Sequence, residues 1–172
     1  MNTVCSNMPD IVTLEEYSGN YFEYEKVVYE RFLNDFVKTK PVFKGQELSL
    51  KRHPLFKNKE ATFWHITSEG MDEETRTPDI RRLERISWPK RIIEYCSAYC
   101  SNIKVWENLR KGEKRILLWC EDIEYLVVLA DRNTYTLIWT AYPVQENHKK
   151  RKLQKEYENC IKSSSYKKAN AV

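Results

Sequence analysis

Three histidines, His53, His65 and His148, are the side chains in this sequence that exchange protons most readily near neutral pH. His65 has the most suggestive setting, inside Thr62-Phe63-Trp64-His65-Ile66-Thr67-Ser68 and just before Glu69-Gly70. Aromatic and β-branched residues closed by a glycine predict a short strand. Alternation along that strand would send Trp64 and Ile66 into the core and place Phe63, His65 and Thr67 on one surface. An imidazole with a pKa of ~6.5 beside a hydroxyl can act there as general base or acid. The competing reading is a core or hydrogen-bonded strand histidine with no chemical task.

Other chemistries find little support. Four glycines form no phosphate-cradling loop, and no His-Glu-x-x-His occurs. Cys96 and Cys100 are one helical turn apart but lack a second pair at zinc-site spacing. The acidic run Asp72-Glu73-Glu74 looks like a solvated loop, and no carboxylate cluster suits two-metal phosphodiester cleavage. His, Lys, Arg, Thr and Tyr remain. Cleavage of RNA through its own 2′-hydroxyl needs little more: a base for the 2′-OH proton, cations and hydroxyls for the phosphorane charge, and an acid for the 5′-oxygen.

Charge distribution favours a polyanionic partner more than the net +4 does. Residues 1–35 hold two basic side chains against seven acidic ones, whereas residues 36–60 hold seven against two, and residues 143–172 hold eight against three. A mean hydropathy of -0.70 and the lack of an apolar run near the ~20 residues of a membrane helix argue against a membrane protein. Five cysteines without framework spacing, and no basic-then-apolar leader, predict reduced thiols in a cytoplasm.

The elements that must position these groups follow from periodicity. Residues 1–13 look loose. Residues 14–38 repeat Tyr17, Tyr21, Tyr24, Val28, Phe32 and Phe36 at helical steps, with a split at Gly19-Asn20. Thr77-Pro78-Asp79 predicts a helix start with Thr77 as cap, and Pro89 a kink or restart of the helix. Four strands are expected at residues 103–106, 114–120, 123–130 and 134–142, as an antiparallel meander. In the last, Tyr135, Leu137, Trp139 and Ala141 form an apolar face, and Thr134, Thr136, Thr140 and Tyr142 a polar one interrupted by Ile138. Trp64, Trp119 and Trp139 are assigned to the core. A Lys/Arg-rich helix is expected from Glu146 to about Cys160, followed by a basic, disordered tail over residues 161–172. The fold class is therefore α+β: N-terminal helices on a four- to five-stranded antiparallel sheet, in one domain over residues 1–160, with a basic C-terminal helix.

The layout resembles the BECR ribonucleases (barnase, EndoU, colicin-type toxins, RelE), in particular their phage-associated branch. The resembling segments are Lys51-Arg52-His53-Pro54 through Phe63-Trp64-His65-Ile66-Thr67-Ser68, then Arg81-Arg82-Leu83-Glu84-Arg85-Ile86-Ser87-Trp88. Arg115-Ile116-Leu117-Leu118-Trp119 through Thr140-Ala141-Tyr142 and the basic helix complete them. The resemblance implies a metal-independent endoribonuclease that leaves a 2′,3′-cyclic phosphate, needs no cofactor, and works in a phage-related or toxin setting. RNA, such as tRNA or mRNA, would be its substrate, and an inhibitory protein its partner. It implies His65 and His53 as proton-transfer candidates, with Thr140, Tyr142 and Arg82 at the scissile phosphate. Lys51, Arg52, Arg81, Arg85, Lys149, Lys150 and Arg151 would bind backbone phosphates, while His148 faces RNA or solvent. The alternative is a non-catalytic RNA-binding or protein-interaction module built on the same surfaces.

Overall fold

The computed structural model describes residues 7–96 and 102–169. The start of the loose segment expected over residues 1–13 lies outside them as far as residue 6, as do Cys5, Cys100 and residues 170–172. The chain is α+β, and its largest sheet is four antiparallel strands in sequential order.

Asn20 caps the first helix, α1 (Tyr21–Phe32), by accepting from the Glu23 amide at 3.3 Å. The helix runs on as a π-helix over Leu33–Lys38. Of the stripe seen in the sequence, Tyr24, Val28, Phe32 and Phe36 are buried and Tyr17 and Tyr21 half-buried against them. A small hairpin follows, β1 (Val42–Phe43) and β2 (Gln46–Glu47).

The segment around His65 is a helix, α2 (Ala61–Thr67), where the sequence pattern predicts a strand. Every one of its seven residues is buried. A segment surrounded by protein on all sides needs its backbone bonds satisfied internally, and a helix does this without a strand partner. Its hydroxyls turn back on nearby backbone. Thr67 Oγ1 donates to the Phe63 carbonyl at 2.7 Å and Ser68 Oγ to the Trp64 carbonyl at 2.5 Å. Phe63 and Trp64 both enter the core, with Phe63 edge-on to Tyr29 and Phe32, so the two-faced alternation expected there does not exist.

Next, β3 (Ser68–Glu69) pairs with β4 (Thr77–Pro78) around a loop. Thr77 is thus a strand residue. The cap of α3 (Ile80–Glu84) is Asp79, whose carboxylate accepts from the Arg81 amide at 2.9 Å. After a break, α4 (Trp88–Cys96) begins, with Pro89 in its first turn, where a missing N–H costs nothing.

The meander comprises β5 (Ile103–Arg110), β6 (Glu113–Cys120), β7 (Tyr125–Asp131) and β8 (Thr136–Pro143). β5 is longer than its pattern predicts, reaching a two-residue turn at Lys111-Gly112, both with positive φ. Outside β8, Ser49 adds one parallel bridge through its amide to the Thr136 carbonyl at 2.8 Å. One sheet face, with Ile116, Leu118, Val127, Leu129, Ile138 and Ala141, packs into the core formed with α1 to α4. The other carries Trp106, Leu117, Trp119, Leu126 and Val128, and is partly covered by α5 (Asn147–Ala169) through Leu153 and Tyr157. The C-terminal helix therefore continues past Cys160, through the serines expected to begin a disordered tail, to Ala169.

A bulge breaks the alternation in β8. Val128 pairs with Thr140 but Leu129 pairs with Ile138, which leaves Trp139 without a partner. A residue inserted this way lets two successive side chains share a face. Trp139 joins Tyr142 on the α5 side, while Ala141 stays in the core with Ile138. Trp139 is therefore no core residue, and the apolar face predicted from Tyr135 to Ala141 is split between the two sides.

Phe63 lies where α1, α2 and the sheet meet. Phe63→Ala should cost about 3–5 kcal/mol, read as a lower denaturation midpoint with an unchanged m-value.

Candidate functional site

The last carbonyls of a helix lack intrahelical partners. At the end of α2 they are met by side chains. Thr140 Oγ1 donates to the His65 carbonyl at 2.8 Å. Arg82 Nη1 donates to the Ser68 carbonyl at 3.0 Å and reaches the His65 carbonyl at 3.5 Å. Arg76 Nη2 donates to the Ser68 carbonyl at 2.7 Å, and its Nη1 to the Gly70 carbonyl at 2.7 Å. Two guanidinium groups at a helix C-terminus also suit the sign of its dipole. These contacts hold α2 on β8 and orient His65.

The loop from Gly70 to Arg76 then brings a carboxylate to the imidazole. Gly70 has φ +127°, and a Cβ there would meet Arg76 Cα at 3.2 Å, so the tight return needs glycine. Glu73 Oε1 lies 2.7 Å from His65 Nε2 and accepts from Lys51 Nζ at 3.0 Å. Lys51 is placed by its backbone: the Thr62 amide donates to the Lys51 carbonyl at 2.9 Å, and the Lys51 amide to Thr62 Oγ1 at 2.8 Å. Lys51, His65, Glu73, Arg76, Arg82, Arg110, Trp139 and Thr140 line one cleft of about 630 Å³.

A carboxylate only accepts, so the neutral His65 ring donates from Nε2 and keeps its lone pair on Nδ1. Burial holds the imidazole below its ordinary pKa, although Glu73 pulls it upward. Burial alone would raise the Glu73 carboxyl, but hydrogen bonds from His65 and Lys51 outweigh it and hold the group below its usual value. Near neutral pH the pair is thus a neutral base oriented by an ionised carboxylate. His65 is only 6% exposed, but its ring tilts against the Trp139 indole, at 5.2 Å between centroids, on the cleft wall.

The structure brings together part of the residue set named from the sequence. Lys51, His65, Arg82 and Thr140 share the cleft, and Tyr142 lies beside it with the Arg82 guanidinium 4.9 Å from its ring. Thr140 Oγ1 donates to the His65 carbonyl, and Arg82 divides its donors between the Ser68 carbonyl and the Glu69 carboxylate, with Nε left without a hydrogen-bond partner, so both side chains help to position His65. His53 and Arg52 are exposed and do not line the cleft. Arg81 pairs with Asp79 at 3.0 Å, and Arg85 turns to Glu84 and the Trp88 ring, so neither reaches His65. Lys149 lines a neighbouring groove with Arg110, Tyr142 and Lys152. Lys150 and Arg151 lie on another groove, where Lys150 pairs with Glu124. His148 is exposed.

Glu73, Arg76, Arg110, Arg115 and Trp139 escaped the sequence reading. The acidic run Asp72-Glu73-Glu74 on its own suggests a solvated Glu73. Only the turn glycine at 70 hinted that its loop folds back. For Trp139 a hint existed: Ile138 was the single interruption of the polar face, and it marks the bulge. Arg115, buried on a strand, has its guanidinium 3.9 Å from the Trp139 ring centre.

No family model, no curated protein and no solved structure matches this chain. No helix among the described residues is long and apolar enough to cross a membrane.

The pH dependence follows from the two shifts. The unfolded chain protonates His65 near 6.5, before the folded chain does, so stability falls as pH drops below that value. Glu73 adds a loss of the same sign as pH falls below 4.5 through its depressed folded value. An NMR titration should place the His65 midpoint below 6.5, and Glu73→Gln should lower it further. A midpoint at or above the ordinary value would show that the ring is not buried in the neutral form.

Proposed function

We propose that the chain is a metal-independent endoribonuclease of the BECR type, with His65 as the general base. The observation that carries this reading is the His65–Glu73–Lys51 cluster: a neutral imidazole, oriented by a carboxylate, beside a cation in a water-accessible cleft. His65 Nδ1 takes the proton of an RNA 2′-hydroxyl. The 2′-oxygen then bonds to the adjacent phosphorus while the bond from phosphorus to the 5′-oxygen breaks. The Lys51 ammonium supplies the proton to the leaving oxygen, and Lys51 and the exposed Arg110 face the phosphorane charge. The products are a 2′,3′-cyclic phosphate and a free 5′-hydroxyl. Arg110, Lys149 and Lys152 extend the cationic surface from the cleft, which suits a polyanionic backbone and makes binding fall with salt.

Purified chain with total RNA and EDTA should release fragments ending in 2′,3′-cyclic phosphate. His65→Ala should slow this by roughly 10²–10⁴-fold at a temperature where circular dichroism shows the variant still folded. RNA that is retained but uncut by the parent protein would favour the non-catalytic binding module instead.

A further inference from the structure

Beside the His65 cleft, and sharing Arg110, Trp139 and Thr140 with it, a second cavity of about 380 Å³ opens between the sheet and α5. Its floor is Leu117, Leu126, Val128 and Leu153. Two polar side chains on adjacent strands, Asn108 and Arg115, are direct cross-strand partners and both line it. They do not bond each other. Arg115 Nη1 and Asn108 Oδ1 are both buried without any hydrogen-bond partner, and Arg115 is 6% exposed. Buried orphans of this kind are rare in folded proteins and call for a cause.

Their chemistry is defined. Asn108 Nδ2 donates to the Glu156 carboxylate at 3.1 Å. A carboxylate cannot donate, so this amide cannot be flipped, and Oδ1 must be the atom left to accept. Arg115 uses Nη2 on Glu113, and its Nη1 can only donate. The pair therefore calls for a flat ligand edge with an acceptor next to a donor. A cationic donor favours a carbonyl oxygen, with which it forms a charge-assisted bond. An apolar floor and an indole wall favour a planar ring.

We propose that this cavity is a nucleobase subsite for bases with a lactam edge, guanine or uracil, in which Arg115 donates to the ring carbonyl and Asn108 accepts from the adjacent ring N–H. It rests on the nuclease reading for its source of base, the nucleotide next to the bond that His65 attacks. Adenine and cytosine also set an acceptor beside a donor, but the acceptor is a ring nitrogen and the donor an exocyclic amine, and cytosine's carbonyl adjoins a ring nitrogen without a proton, so neither offers a carbonyl oxygen next to a ring N–H. Both atoms are buried, and the Trp139 indole lies over the Arg115 guanidinium, so a base reaches Arg115 by displacing that indole. Base entry and the His65 wall are thereby linked through one side chain.

Calorimetric titration of the full chain with GMP, UMP, AMP and CMP tests the subsite. GMP or UMP should bind about tenfold or more tightly than AMP and CMP. Val128→Phe, which fills the cavity, should abolish that binding. Asn108→Ala, on the edge strand, should weaken it by about tenfold and narrow the preference, and serves if Val128→Phe fails to fold. Equal binding of all four, no binding of any because the atoms hold ordered water alone, or indifference to Asn108→Ala would overturn the proposal. The two readings separate cleanly. RNA cut without bias for G or U removes the subsite and leaves the nuclease. Selective nucleotide binding with intact RNA keeps the subsite and removes the nuclease.

Discussion

The buried carbonyl oxygens at the end of α2 set the terms for the rest of the site. Left unpaired, each would cost about 1–3 kcal/mol. Thr140 reaches them from β8, Arg82 from α3 and Arg76 from the loop after β3. Three separate parts of the chain thus converge on one helix end. The convergence pins the His65 backbone to the sheet and confines its ring to the wall beside Trp139. Residues that looked like phosphate ligands are the ones that make the histidine's position definite. Among the described residues lining the cleft and the cavity beside it, Arg110 lies exposed, and Arg82 Nε and Arg115 Nη1 have no hydrogen-bond partner.

Trp139 is the second organising feature. The β8 bulge swings its indole to the outer face, where it has His65 on one cleft and Arg115 on the neighbouring cavity. An indole between an imidazole and a guanidinium separates the His65 cleft from the cavity beside it on a single surface. The bulge is local, one residue long, yet it decides whether β8 contributes a core residue or a partition between two sites.

Electrostatics fits this division. His65 is kept neutral by burial and directed by an ionised Glu73, which suits proton abstraction near neutral pH. The cations nearby are of two kinds. Arg76 and Arg82 are spent on backbone and structure, whereas Arg110 and Lys149 lie along the exposed rim. Cations of the first kind change stability when removed. Those of the second would, under the proposed function, attract a polyanion.

The sequence by itself determined the meander, because its alternating patterns and short connectors allow few pairings, and the buried stripe of α1, because a period near 3.6 permits one inward face. It also marked His65, Lys51, Arg82 and Thr140 as neighbours worth testing. What only the tertiary structure decided was the state of residues 61–67. Their β-branched and aromatic composition favours a strand locally, but burial on every side selects the conformation that satisfies its own backbone. The approach of Glu73 likewise depends on a loop folding back through Gly70 and Arg76, and the facing of Trp139 depends on a bulge. Both are matters of long-range contact, and neither is written in composition or period.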